Sequence, residues 1–205
     1  MTILSIPKPL GLFGGRFDPV HRAHVAMAQA AADQLQLEEI RWIVTGSPIH
    51  KPAAAPSEHR LKMTGLALEE LGDTRMRLDD REIRADALGQ TNATYKTIES
   101  FLHDDPERPL IWILGEDQFT HFTGWQHWEW LIQNMTLAVC ARPGSDETPD
   151  ERMLRERGAQ VQRFFMPLDA LSSTHIRQSI AKGVLPPNML PRSVADYISE
   201  HGLYR

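Results

Sequence analysis

Gly14-Gly15-Arg16-Phe17-Asp18-Pro19-Val20-His21-Arg22-Ala23-His24 is the stretch of this 205-residue chain whose residue types and spacing best fit chemistry. It follows a short apolar run and precedes the alanine-rich segment 25–35, so it reads as strand, turn and helix start. Paired glycines let a backbone turn sharply and come close to a ligand, and the first N–H groups of the helix suit a phosphate. His21 and His24, three apart, project from one face of the first turn toward one spot, where two imidazoles can flank a phosphate. Plainer readings fit as well: a tight turn, an HxxH metal half-site, and Asp18-Pro19 as an N-cap with a first-turn proline. The dinucleotide pattern GxGxxG is absent from this turn and GxxxxGK[ST] is absent from the chain, so any phosphate handling uses another design.

Two further segments carry cations or capped donors. Lys51, in Ser47-Pro48-Ile49-His50-Lys51-Pro52, is either an ammonium that neutralises developing phosphate charge or a solvated lysine in a proline-rich loop. In Leu171-Ser172-Ser173-Thr174-His175-Ile176-Arg177 the hydroxyls cap a helix and leave N–H donors facing outward, with Arg177 one turn later. A guanidinium suits a triphosphate better than an ammonium does. Alone, this is an ordinary capped helix; beside the first motif it becomes the second half of a nucleotide site.

The elements that must hold these residues alternate along the chain. Apolar runs at 10–13, 40–44, 76–78, 110–114, 137–141 and 161–165 read as buried strands. Helical spacing covers 21–35, 58–71, 94–102, 125–133, 149–157, 173–181 and 193–201, with Ser57, Ser172 or Ser173, and Ser193 as N-caps and Gly183 and Gly202 just past helix ends. This predicts an α/β fold: a Rossmann-like, doubly wound parallel sheet covered on both faces, with ligands beyond the carboxyl ends of the strands. The length predicts one domain over 1–205, with 172–205 as its C-terminal helical part.

A net charge of −5 gives no general attraction to nucleic acid or to an anionic membrane, so a phosphate site has to be local. No stretch approaches the roughly 18 apolar residues of a membrane span, and the N-terminus lacks a signal-peptide pattern. The single cysteine, Cys140, excludes an internal disulfide framework and a Cys-based zinc site and suits a reducing compartment, so the expected location is cytoplasmic. Homo-oligomerisation is left open.

Together these motifs resemble the nucleotidyltransferase superfamily marked by (H/T)xGH, and within it the bacterial nicotinate mononucleotide adenylyltransferases with their GGxFDPxHxGH signature. The resemblance continues through the PPHK-like loop at Lys51, the helix opening at 57–63, a strand-end GxD at Gly115 and Asp117, the W-x-x-W segment from Trp125, Arg142-Pro143-Gly144, the ISSTxIR-like 171–177 and the closing helix with Leu203-Tyr204. Ala23 stands where the pattern has Gly, and Arg16 where it has Thr or Ser.

What the resemblance implies is transfer of the adenylyl group of ATP to nicotinate mononucleotide, with Mg²⁺ arriving on ATP and no resident metal. It places Gly14, Gly15, Phe17, His21, His24, Gly115, Asp117, Ser172, Ser173, Thr174 and Arg177 on ATP. Catalysis falls to His21, His24, Lys51 and Arg177, the histidines giving cationic hydrogen bonds to the transferring phosphorus group. The acceptor falls to Arg16, Asp18, Lys51, Thr94, Tyr95 and Trp125. Backbone N–H groups near Thr94 and Tyr95, or Lys96 in place of an arginine the family has, take the nicotinate carboxylate, and the Trp125 indole stacks on the pyridine ring; Trp128 and Trp130 read as core. Phosphopantetheine or nicotinamide mononucleotide as acceptor, and a catalytically silent nucleotide-binding regulator, are the rival readings.

Overall fold

In the computed structural model, which describes residues 7–47, 53–90, 93–166, 171–185 and 188–205, six strands form one sheet in the order β3-β2-β1-β4-β5-β6. They are β1 (Leu10–Gly15), β2 (Ile40–Val44), β3 (Met76–Asp79), β4 (Leu110–Gly115), β5 (Thr136–Ala141) and β6 (Val161–Phe165), and every pairing is parallel. The chain winds outward from β1 to β3, returns to place β4 on the free side of β1, and winds outward again. The carboxyl ends of β1 and β4 therefore flank a topological switch point, where open parallel sheets hold their ligands.

Nine helices fill the connections among the described residues: α1 (Arg22–Gln34), α2 (Ser57–Leu71), α3 (Arg81–Ala87), α4 (Thr94–Asp104), α5 (Glu116–Phe119), α6 (Trp128–Asn134), α7 (Pro149–Glu156), α8 (Ser173–Ala181) and α9 (Arg192–His201). Side chains alternate across the sheet as a period of two requires. In β4, Ile111 and Ile113 join the core under α1, α2, α8 and α9, whereas Leu110, Trp112 and Leu114 join the core under α4, α6 and α7. This is the doubly wound arrangement read from the alternation. No described helix is long and apolar enough to cross a membrane.

Local details depart from the sequence reading for identifiable reasons. The helix expected at 125–133 begins at Trp128, because a 3-10 turn over Phe122–Gly124 leads into an extended Trp125 and His127 caps α6 with a left-handed backbone, φ 56°. Helices α3 and α5 were not expected; the first is polar for most of its length and the second spans four residues. Ser193 is not the cap of α9. Pro191 holds that position, and the Glu70 carboxylate of α2 accepts the Arg192 and Ser193 N–H groups at 3.0 and 2.7 Å. Pro56, not Ser57, precedes α2, while Ser172 does cap α8 by accepting the His175 N–H at 3.2 Å.

Candidate active site

Beyond the carboxyl ends of β1, β4 and β5 lies a cleft of about 1010 Å³. From the first motif it is lined by Gly14, Gly15, Arg16, Phe17, Asp18, His21 and His24; from the end of β4 by Gly115 and Asp117; from the start of α8 by Ser172, Ser173 and Thr174. Segments up to 160 positions apart thus meet as their motifs implied (Gly14 to Thr174). Lys51 lies outside the described residues. Arg177, Thr94, Tyr95 and Trp125 are not among the residues that line this cleft.

Gly14 and Gly15 close β1 rather than forming a left-handed turn, and side-chain packing is what demands them. A Cβ on Gly14 would come within 2.6 Å of the Trp112 ring, and one on Gly15 within 2.9 Å of the Phe17 ring. Phe17 itself takes the left-handed backbone, φ 48°, and sends its ring into the core beside Phe13 and Trp42. The turn that follows ends at His21, the N-cap of α1.

The two imidazoles are stacked, their centroids 3.7 Å apart and their planes 24° from parallel. His24 Nδ1 accepts the backbone N–H of His21 at 3.2 Å. A neutral ring that accepts at Nδ1 carries its proton on Nε2, so His24 keeps an N–H to offer. His21 is 5% exposed, and its Nδ1 has no hydrogen-bond partner among the described residues. Burial lowers the His21 pKa to about 4, and burial together with His21 holds that of His24 well below the usual histidine range. With protein groups alone around them, both rings are neutral near pH 7. The expectation of cationic donors concerns the rings against phosphate; in the protein alone, burial discharges them, which the sequence does not show.

That discharge predicts how stability follows pH. The folded imidazole of His21 titrates near 4 and the unfolded one near 6.5, so between those values the unfolded chain binds more protons. Stability is complete above about pH 6.5 and is lost as pH falls toward 4, at about 1.4 kcal/mol for each unit of displacement. Urea unfolding at pH 4.5 and 7, compared with the same pair for His21→Gln, checks this; the variant should depend less on pH, and equal dependence would remove His21 as the cause.

Asp18, for which the sequence suggests an N-cap or an acceptor contact, lines the cleft and is a buried hub, 2% exposed. Its carboxylate accepts the N–H groups of Ala54 at 2.7 Å and Ala55 at 3.1 Å and the Tyr204 hydroxyl at 2.8 Å. Arg177 donates from Nη1 to the Asp18 carbonyl at 2.6 Å and from Nη2 to Thr174 Oγ1 at 3.3 Å, tying α8 to the turn. Ser173 adds a bond from its hydroxyl to the Pro19 carbonyl at 3.0 Å. Arg60, read from the sequence as packing, is 1% exposed and donates to the carbonyls of Ala55, Arg16, Thr45 and Gly46. An arginine one turn before Met63 and two before Ala67, on the buried face of α2, was the signal available for it. Cys140 lines the floor of the cleft with its thiol pushed up to about 11 by burial, so it is protonated and no nucleophile.

Away from this cleft, α4 begins at Thr94 and Tyr95 after Ala93, which supplies no side-chain cap. The Tyr95 ring meets His127 edge-on at 4.3 Å. Trp125 is half-buried, perpendicular to Trp112 at 6.3 Å and tilted against Phe122 at 5.2 Å; Trp128 and Trp130 pack on the same core, as expected of them. Lys96 is exposed and paired with Glu99 at 2.8 Å.

The family model described as cytidylyltransferase-like matches residues 12–179. A Bordetella avium protein named probable nicotinate-nucleotide adenylyltransferase is 37% identical over 97% of this chain and 98% of its own, and a Neisseria meningitidis serogroup B protein of the same name is 34% identical over 96% and 98%. In fold, the chain matches the Plasmodium falciparum nicotinic acid mononucleotide adenylyltransferase complexed with NaAD, at TM-score 0.78, 18% identity and 96% and 97% coverage. It also matches a Vibrio parahaemolyticus structure described as a putative nicotinate-nucleotide adenylyltransferase, at TM-score 0.70, 17% identity and 97% and 96% coverage. With its first histidine pair and its α8 motif inside the matched span and its relatives aligned over nearly their full length, the chain belongs to the cytidylyltransferase-like family and to the nicotinate-nucleotide adenylyltransferases within it.

Proposed function

We propose that this enzyme joins ATP and nicotinate mononucleotide into nicotinic acid adenine dinucleotide and pyrophosphate. A phosphate oxygen of the acceptor attacks the α-phosphorus in line, the bond from that phosphorus to the bridging oxygen breaks, and pyrophosphate leaves with the electron pair. The observation that carries this reading is the stacked His21–His24 pair at the switch point, His21 buried and His24 half-buried, with α8 closing the opposite wall. Such a site places donors where charge grows and needs no enzyme nucleophile, as in-line phosphoryl chemistry requires.

His21 and His24 take the α-phosphate, with Gly14, Gly15 and Phe17 forming the wall against which it lies. The start of α8 at Ser172, Ser173 and Thr174 faces the remaining phosphates. A guanidinium has five N–H donors, and the described residues engage Arg177 at two of them, so others can serve the triphosphate as the motif implies. Lys51 we assign to the phosphates and Arg16 to the acceptor on the sequence alone. Among the described residues no three His, Cys, Asp or Glu side chains converge on a metal-sized point. The cleft carboxylates Glu116 and Asp117 fit contact through water with a Mg²⁺ carried by ATP, which would neutralise the β- and γ-oxygens and ease the departure of pyrophosphate.

The acceptor's carboxylate belongs, on this reading, to the first N–H groups of α4 at Thr94 and Tyr95, with Trp125 beneath the ring. Lys96 is directed to Glu99, so the backbone, not the lysine, is the favoured donor. Charge-assisted bonds exceed neutral ones by about 1 kcal/mol or more, so nicotinate mononucleotide should be used about fivefold or more in preference to nicotinamide mononucleotide. Pyrophosphate release with the two acceptors competing at equal concentration tests this, with phosphopantetheine as a third arm. Lys96→Ala should keep the preference; equal use of both pyridine nucleotides would mean that the carboxylate site is absent.

A further inference from the structure

We propose that Tyr204 is a positioning residue for adenylyl transfer, acting on the histidine pair through Asp18; the assignment rests on the reaction proposed above. Asp18 lies three positions before His21, in the short turn between β1 and α1. Its carboxylate is buried among neutral donors: Oδ2 takes the Ala54 N–H at 2.7 Å, and Oδ1 is shared between the Ala55 N–H at 3.1 Å and the Tyr204 hydroxyl at 2.8 Å. Arg177 Nη1 is 3.9 Å from Oδ2 and is aimed at the Asp18 carbonyl instead.

The tail that delivers the phenol is itself held at several points. Gly202 and Tyr204 take left-handed backbones, φ 61° and 65°, which fold the chain off the end of α9. The Leu203 N–H returns to the Ile198 carbonyl at 3.1 Å, and Leu203 and Tyr204 pack on the core beneath α1, α2, α8 and α9. Helix α9 is in turn fixed to α2 by Glu70 at its first turn, by the Ser193 hydroxyl on the Leu66 carbonyl at 3.2 Å, and by Tyr197 against His59 at 2.9 Å. Tyr204 therefore reaches Asp18 from a rigid base.

Burial, and then the Asp18 charge, push the Tyr204 ionisation far up, so its hydroxyl stays a donor at any working pH. A carboxylate needs several donors to stay charged in such a place, and each donor also limits how it rotates. Without the phenol, Oδ1 keeps, among the described residues, the longer of its two bonds, and the turn that presents His21 loses its bond from Tyr204 in the C-terminal tail. Catalysis by preorganised donors is sensitive to displacements well under 1 Å.

Tyr204→Phe removes one oxygen and leaves the ring in place. Its kcat for pyrophosphate release should fall about tenfold, with KM for ATP and for the acceptor changing by less than about threefold, because the ground-state contacts are spared. In an Asp18→Asn background, Tyr204→Phe should cost much less, since a neutral amide oxygen accepts the phenol more weakly than the carboxylate does. As a readout independent of turnover, the imidazole NMR signals of His21 and His24 should shift in Tyr204→Phe while those of His103 and His175 stay in place. An unchanged kcat with unmoved His21 and His24 signals overturns the proposal, as does a loss that persists in full beside Asp18→Asn. If the parent protein releases no pyrophosphate with nicotinate mononucleotide, the proposed reaction fails, and the imidazole signals still decide whether Tyr204 controls the pair.

Discussion

Replacing His21 or His24 by alanine lowers turnover by roughly a hundredfold, as removal of one preorganised donor costs about 3 kcal/mol in transition-state stabilisation. The affinity for ATP should change far less, because a neutral imidazole adds little to a ground-state phosphate and gains strength only as charge builds on the α-phosphorus. The rings act as a unit. They stack at 3.7 Å, and His24 holds its tautomer by accepting the His21 N–H at 3.2 Å, so removing one disturbs the other. The double variant should therefore lose less than the product of the two single losses. Rates of pyrophosphate release at saturating ATP, with folding checked by circular dichroism, give the comparison. A double variant within about threefold of the parent would take the pair out of the mechanism, since far larger losses accompany removal of such donors elsewhere.

The largest stability effect is expected at Arg60. Its guanidinium donates to four carbonyls, Ala55 at 3.1 Å, Arg16 at 2.9 Å and Thr45 and Gly46 at 2.6 Å, and these belong to the loops that leave β1 and β2 and to the approach to α2. Each buried acceptor left without a partner costs about 1–3 kcal/mol, and water admitted to the cavity recovers part of it. Arg60→Ala should then lose at least about 3 kcal/mol, which for a chain of this size lowers Tm by roughly 6–12 °C. Arg60→Lys keeps the charge but places one nitrogen where three served, so it should fall between the two. Urea denaturation of the three proteins measures the series. A loss below about 1 kcal/mol for Arg60→Ala would show that the carbonyls find water freely, and that the loops are not braced by this residue.

Much of this molecule is legible in its sequence where the information is local. The apolar runs mark the six strands to within one or two residues, because a strand buried on both faces is mostly apolar; Arg41, Arg77, Gln162 and Arg163 interrupt the runs of β2, β3 and β6, where the strands are less deeply buried. The first motif and the α8 motif are likewise read correctly as converging, since both open helices at carboxyl ends of the sheet. What escapes is set by distant neighbours. Nothing near Asp18 announces a partner 186 positions away at Tyr204, and nothing near Ser193 announces that Glu70 caps the helix instead. The glycines were rightly singled out, but the reason for Gly14 is the Trp112 ring on the adjacent strand. The charge of the histidines depends on how deeply the finished fold buries them.

The strand order also bears on how the protein acquires its site. Residues paired between β1 and β2, such as Gly11 and Ile40, are 29 apart, and those between β4 and β5, such as Ile111 and Thr136, are 25 apart. Leu10 and Leu110, paired across the centre, are 100 apart. Loop-closure entropy grows with the logarithm of separation, which sets the central pairing about 1 kcal/mol behind its neighbours before any contact repays it. The two outer halves can therefore collapse as local units, and the β1–β4 seam joins them late. His21 and His24 stand on one half, Gly115 and the α8 motif on the other. During refolding, nucleotide binding should appear after most of the helical signal has returned, because the last joint to close is the one that makes the cleft.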